Sequence, residues 1–260
     1  MDLGLRGRTA IVCASSQGLG RGCAQALAEA GCAVVLNGRD EAALTATADA
    51  IRAATGVRVE TVAGDIAADA TQEALLAAAG GAPDILVNNN AGPPLRDFRT
   101  LDGAALHAGL EANMVTPIRL VQRAIDGMVD RRFGRIICIT SAAVKAPLAG
   151  LDLSSGARIG LTGFLAGIAR SVAHANVTIN FLLPGLFETR RLAGVHAYAA
   201  ETQGITVEEA ARRARDRIPA QRFGDPDEFG AACAFLCSNK AGFITGQSLL
   251  IDGGAFPGVL

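Results

Sequence analysis

The chain has 260 residues, half of them hydrophobic, with 31 glycines, a single tyrosine and a formal net charge of −1. Such a balance excludes a disordered chain, which is polar and highly charged, and lacks the basic surplus of a nucleic-acid binder. The six cysteines, Cys13, Cys23, Cys32, Cys138, Cys233 and Cys237, form no C-x-x-C pair. Cys233 and Cys237 share helical spacing, but no histidine or second pair completes a ligand set, so they read as a packed helix face and no metal is expected. No apolar run approaches the roughly 18 residues of a membrane span, and residues 1–7 lack a signal-peptide core. A cytoplasmic protein without a membrane partner is expected.

In chain order, residues 9–13 form a short apolar run, then a glycine-bearing turn leads into a helical stretch at 19–30, which Gly31 stops. Strand signals follow at 33–36 and 57–62, with a helix at 41–54 between them. Further strands are expected at 84–87, 135–140 and 177–183, and long helices at 103–131 and 157–173. Short continuous apolar strands separated by helices imply a parallel sheet buried on both faces. The expected fold is α/β, a doubly wound Rossmann-type sheet forming one domain over 1–260, with its ligand crevice beyond the strands' carboxyl ends. Residues 189–222 break the rhythm: charged, helical and bearing Tyr198, they read as a substrate lid or as a solvated helix pair.

The segment Ala14-Ser15-Ser16-Gln17-Gly18-Leu19-Gly20 has the form of a phosphate-binding turn. Glycines let the backbone approach a pyrophosphate, and a helix N-terminus offers unpaired N–H groups and a positive dipole end. The second strand runs on into Asn37-Gly38-Arg39-Asp40. An acidic side chain there would bind the ribose hydroxyls of NAD, whereas a guanidinium binds a 2′-phosphate. Gly38 occupies the acidic position and Arg39 follows it, so NADP is favoured and NAD stays possible. Asp40 could instead pair with Arg39 and make this an ordinary exposed turn.

From Cys13 through Gly20 the chain resembles the short-chain dehydrogenase/reductase family, with Cys13 and Ala14 in place of the family's first threonine and glycine. The Ala14 methyl is tolerable if that residue keeps a negative φ. The resemblance extends over nearly the whole chain. It implies that Asp65, followed by Ile66, receives the adenine amine, and that an Asn-Asn-Ala-Gly element ends the fourth strand. The register of that element is open. The letters match at Asn89-Asn90-Ala91-Gly92, while counting from Asp84 begins it at Asn88. Pro184, Gly185 and Thr189 resemble the turn beside the nicotinamide, and 244–254 the C-terminal strand.

The resemblance also implies four catalytic positions. Asn113 matches the asparagine that supports a proton-relay water, and Ser141 the serine that binds the substrate oxygen. The tyrosine and lysine are missing: Ser154 stands at the first position and Arg158 at the second. A serine hydroxyl is far too weak an acid to replace a phenol, and arginine holds its proton, although its charge can still hold ribose hydroxyls. Lys145, on the loop after the fifth strand, is the foremost substitute acid if partly desolvated, against a plain solvated lysine. Tyr198 and His196 could swing in from the lid, with surface placement favoured, and His107 and His174 read as structural. The expected function is hydride transfer between an NADP cofactor and a small or acyl-linked carbonyl, including a 3-oxoacyl thioester, with atypical proton delivery. A catalytically impaired dinucleotide-binding sensor or scaffold, and non-redox chemistry in the same crevice, are the alternatives. By resemblance the chain forms a homotetramer.

Overall fold

The computed structural model describes residues 2–93, 95–148 and 150–258. Its seven strands are β1 (Thr9–Val12), β2 (Ala33–Gly38), β3 (Val59–Ala63), β4 (Ile85–Asn88), β5 (Gly134–Ile139), β6 (Val177–Pro184) and β7 (Ser248–Ile251). They form one sheet in the order β3-β2-β1-β4-β5-β6-β7, and every neighbouring pair is parallel. The chain builds outward from β1 in one direction and from β4 in the other. The crevice expected of a doubly wound sheet therefore opens between the carboxyl ends of β1 and β4.

Nine α-helices accompany the strands among the described residues: α1 (Gly18–Glu29), α2 (Glu41–Thr55), α3 (Asp69–Ala79), α4 (Gly103–Leu110), α5 (Thr116–Asp130), α6 (Asp152–Val172), α7 (Arg190–Gln203), α8 (Val207–Arg215) and α9 (Pro226–Cys237). Alternate strand residues face opposite ways, so each strand feeds two cores. Val12, Leu36, Ile137 and Leu182 pack with Leu27 of α1, Ile51 of α2 and Phe229 of α9. Ile11, Val35, Ile136 and Phe181 pack with Leu75 of α3, Met128 of α5 and Leu165 of α6 on the other face. Gly22 lets α1 and α9 cross backbone to backbone, since a Cβ there would strike the Pro226 carbonyl. Among the described residues no helix is long and apolar enough to cross a membrane.

Three features depart from the expectation. Helix α3 has no counterpart in it, and α6 begins at Asp152 rather than 157, which places Ser154 in its first turn. The stretch expected as one helix at 103–131 is interrupted by a π-helical turn, Glu111–Val115. Pro117 has no N–H to give to the Asn113 carbonyl four residues back, so the regular ladder fails at that point. The wider turn displaces the helix around Asn113.

Candidate active site

The turn after β1 is held from below by side chains of β2. Asn37, 2% exposed, accepts the Ala14 N–H on Oδ1 at 3.4 Å and donates through Nδ2 to the carbonyls of Val62 and Gly64, both at 3.1 Å. Ser15 Oγ donates to the Val12 carbonyl at 2.8 Å and accepts the Asn37 N–H at 3.1 Å. Thr47 Oγ1 fixes the Ser16 carbonyl at 2.8 Å, and Asn89 Nδ2 reaches the Ala14 carbonyl at 3.3 Å. Under this clamp Ala14 adopts φ +45°, so the negative φ expected of it is not kept. Its methyl sits in a left-handed conformation that ordinarily belongs to glycine. Gly20 is required for a different reason: a Cβ there would collide with the Ala14 carbonyl oxygen.

Gln17 precedes α1 in extended conformation and gives the helix no side-chain cap. The first N–H groups of α1, from Gly18, Leu19 and Gly20 onward, are therefore open to an anion. Gly38 lies against this turn, where a Cβ would come 3.1 Å from Ser16 Oγ. Arg39 is exposed, and the Asp40 carboxylate caps α2 through the Ala43 N–H at 3.0 Å rather than pairing with it. Asp65 is exposed and bonded to the Ala67 N–H at 3.0 Å, beside buried Ile66. On the opposite wall Pro184 ends β6, the Gly185 N–H bonds the Ile251 carbonyl at 2.9 Å, and Thr189 caps α7. A Cβ at Gly18 would lie 3.4 Å from Thr189 Cγ2, so the two walls meet across the crevice.

Strand β4 ends at Asn88, paired with Cys138 of β5, which begins the strand-end element at Asn88. Asn89 serves the phosphate turn, and Asn90 Nδ2 bonds the Ala112 carbonyl at 3.0 Å, with Ala91 following on the crevice rim. Ser141 lies two residues past β5. Its Oγ accepts the Ala143 N–H at 3.1 Å, which orients the hydroxyl and leaves its proton available.

Arg158 is 7% exposed and spans the ends of two strands. Its Nη1 donates to the Ile139 carbonyl at 2.7 Å, Nη2 to the Asn90 carbonyl at 3.3 Å, and Nε to Ser154 Oγ at 3.3 Å. No described carboxylate balances its charge. Burial, and secondarily the Arg191 cation, pull its pKa down to about 10. Three of its roughly five N–H groups are thus spent on the protein. Close helix packing holds this arrangement, because Gly109 makes room for Leu153 and Gly160 for Met114. Beneath lies a cavity of about 20 Å³, lined by Asn88, Asn90, Asn113 and Arg158 among others, of the size that accommodates one water. Asn113 is buried, and its Oδ1 has no partner among the described residues.

The other residues that the sequence singles out lie apart from this cluster, as follows from their surroundings. Lys145 is exposed, so it is a solvated ammonium and not a desolvated acid. Tyr198 is exposed on α7. His196, expected at the surface, is buried with its ring 5.3 Å from that of Phe223, and burial lowers its pKa. His107 and His174 are exposed, each bonded through Nδ1 to a backbone carbonyl of its own helix region. Asn37, Ser15 and Thr47 are not recognisable as site residues from the sequence. A polar residue closing an otherwise apolar buried strand is the available signal for Asn37.

A family model described as Enoyl-(Acyl carrier protein) reductase matches residues 13–255. The chain is 29% identical over 260 residues to a 3-oxoacyl-[acyl-carrier-protein] reductase of Aquifex aeolicus, covering 98% of this chain and 100% of that one. It is 32% identical over 255 residues to a D-beta-hydroxybutyrate dehydrogenase of Cupriavidus necator, covering 96% and 98%. The L-sorbose reductase of Gluconobacter frateurii, solved with NADPH and L-sorbose, superimposes over the full length of both chains with a TM-score of 0.93 at 28% identity. The chain belongs to the short-chain dehydrogenase/reductase family, whose members are NAD(P)-dependent oxidoreductases.

Proposed function

We propose that the protein is an NADP-preferring oxidoreductase that reduces or forms a carbonyl group, with proton delivery that does not use the family's tyrosine. The clamped turn from Ala14 to Gly20 carries this reading, supported by exposed Arg39 where a carboxylate would repel a 2′-phosphate. The residues fit the dinucleotide. The open N–H groups of α1 hold its pyrophosphate, Arg39 its 2′-phosphate, Asp65 and Ile66 its adenine, and Asn90, Ala91, Pro184, Gly185 and Thr189 its nicotinamide half. When bound, the nicotinamide supplies or receives the hydride.

The chain's own groups do the rest. Ser141 donates its free hydroxyl proton to the substrate oxygen and fixes the carbonyl in the crevice. Arg158, a buried cation with no counter-charge, stabilises negative charge developing on that oxygen. Ser154, held by Arg158, and a water in the Asn113 cavity form the path by which a solvent proton reaches the site. General acid catalysis is ordinarily worth about 10²–10⁴-fold and positioning about 7–11 kcal/mol, so turnover survives the missing phenol at a reduced rate. Homologous reductases acting on acyl and small ketone substrates support the same class here, in a cytoplasmic homo-oligomer, a tetramer by family likeness. Exposed Leu106, Leu110, Ile159 and Phe164 on α4 and α6 offer the apolar contact. The second reading, a dinucleotide sensor or scaffold, is favoured by Arg158 being committed to backbone carbonyls. NADPH oxidation with a carbonyl panel separates the two. Activity that falls at least about 10²-fold in Ser141→Ala supports the oxidoreductase, and activity equal to the parent's removes the serine's role.

A further inference from the structure

Beyond the catalytic cluster, the crevice mouth carries exposed apolar side chains on all three segments that follow β4, β5 and β6. Leu95 and Phe98 lie after β4, Leu148 after β5, and Val195 and Tyr198 on α7 after β6. The same segments bear Asn90, Ser141 and Thr189. They are tied into one rim. The Arg96 N–H bonds the Gly150 carbonyl at 3.1 Å, and Leu95 Cδ2 lies 3.5 Å from where a Gly150 Cβ would stand. From the other side, Arg191 donates to the carbonyls of Gly92 at 3.1 Å and Pro93 at 3.4 Å.

Helix α7 shows which way its residues turn. Leu192, His196 and Ala200, at four-residue steps, are buried against the body. Arg191, Val195 and Tyr198, at i, i+4 and i+7, share a different face. Arg191 fixes that face toward the loop after β4, so Val195 and Tyr198 are aligned with the rim and not with bulk surface. A connected apolar surface on the elements that carry the reacting groups is a binding surface. Hydroxyl groups pressed against it would lose hydration without gaining partners.

We propose that this rim binds the non-reacting part of the substrate, and that this part is an apolar aliphatic or aromatic body rather than a polyhydroxylated chain. Tyr198 and Leu95 are its specificity residues. The inference rests on the oxidoreductase reading and names its substrate class. It is tested with the full chain saturated with NADPH, a form in which alcohols bind without reacting. Fluorescence of the bound NADPH is followed while 2-butanol, 2-hexanol, 2-octanol, 1-phenylethanol or sorbitol is added.

The expected result is an affinity that rises about fourfold per added methylene, tight binding of 1-phenylethanol, and no response to sorbitol. Tyr198→Ser and Leu95→Ser flatten the series while the NADPH affinity stays unchanged. Tight NADPH binding with a flat alcohol series, or with sorbitol preferred, overturns this inference alone. Failure to bind NADPH overturns the cofactor reading as well. Sedimentation of the wild type and Tyr198→Ser supplies the remaining control. A smaller assembly in the variant would assign the rim to contact with a second copy and overturn the inference, whereas unchanged assembly sustains it.

Discussion

Replacing Ala14 by glycine exposes what the phosphate turn costs the fold. At φ +45° the Ala14 Cβ is crowded against its own carbonyl, and the residue stays there because Asn37 and Asn89 hold its N–H and carbonyl. A left-handed non-glycine residue costs about 1–2 kcal/mol. Glycine removes that cost but adds backbone freedom to the unfolded chain, worth about 0.5–1 kcal/mol. The net expectation for Ala14→Gly is a gain of about 0.5–1 kcal/mol, or about 1–4 °C in Tm for a domain of this size. Urea denaturation with an unchanged m-value, alongside calorimetry, measures it. Ala26→Gly, in the middle of α1, serves as the reference of opposite sign, with a loss of about 1 kcal/mol. If Ala14→Gly destabilised as much as Ala26→Gly, the turn would not hold a positive φ and the clamp would store no strain.

Two further outcomes follow from the same site. Asn37→Ala removes the partner of the Ala14 N–H and of two buried carbonyls, and should cost about 2–3 kcal/mol together with at least tenfold in NADPH affinity. Unchanged affinity in a destabilised variant would make Asn37 purely structural. Arg39→Ala should weaken NADPH binding by tenfold or more and leave NADH binding within about twofold, since the lost guanidinium pairs only with the 2′-phosphate. Equal losses for both nucleotides in parallel titrations would contradict that assignment.

Much of this architecture is legible in the letters because each strand is buried on two faces. Residues 84–87 and 177–183 read as apolar runs with almost no polar interruption, and length and flanking glycines separate them from helices. The turn at 14–20 is legible for a related reason, since glycine spacing reports where backbone must come close. Conformation and exposure are not written the same way. Nothing in the letters gives Ala14 its positive φ, which depends on Asn37 and Asn89, partners 23 and 75 residues away. The π turn at Asn113 has a local sign in Pro117, but a proline that opens a helix and one that starts a helix look alike. Lys145 holds the right place in sequence to be an acid, yet its loop leaves it in water. Arg158 is recognisable as the family's lysine position. Its commitment to the Ile139 and Asn90 carbonyls follows from α6 beginning five residues earlier than the apolar period indicates.

Everything proposed for the crevice depends on its being a working NADP-dependent carbonyl site despite Ser154 and Arg158. The decisive assay follows NADPH absorbance against a carbonyl panel for the wild type beside a Ser154→Tyr, Arg158→Lys double variant. Slow turnover by the wild type is expected, with a rate about 10²–10⁴-fold higher in the double variant on the same compounds, the worth of a restored general acid. Turnover by the double variant alone would contradict the proposal, leaving an intact pocket whose own residues do not carry out carbonyl reduction.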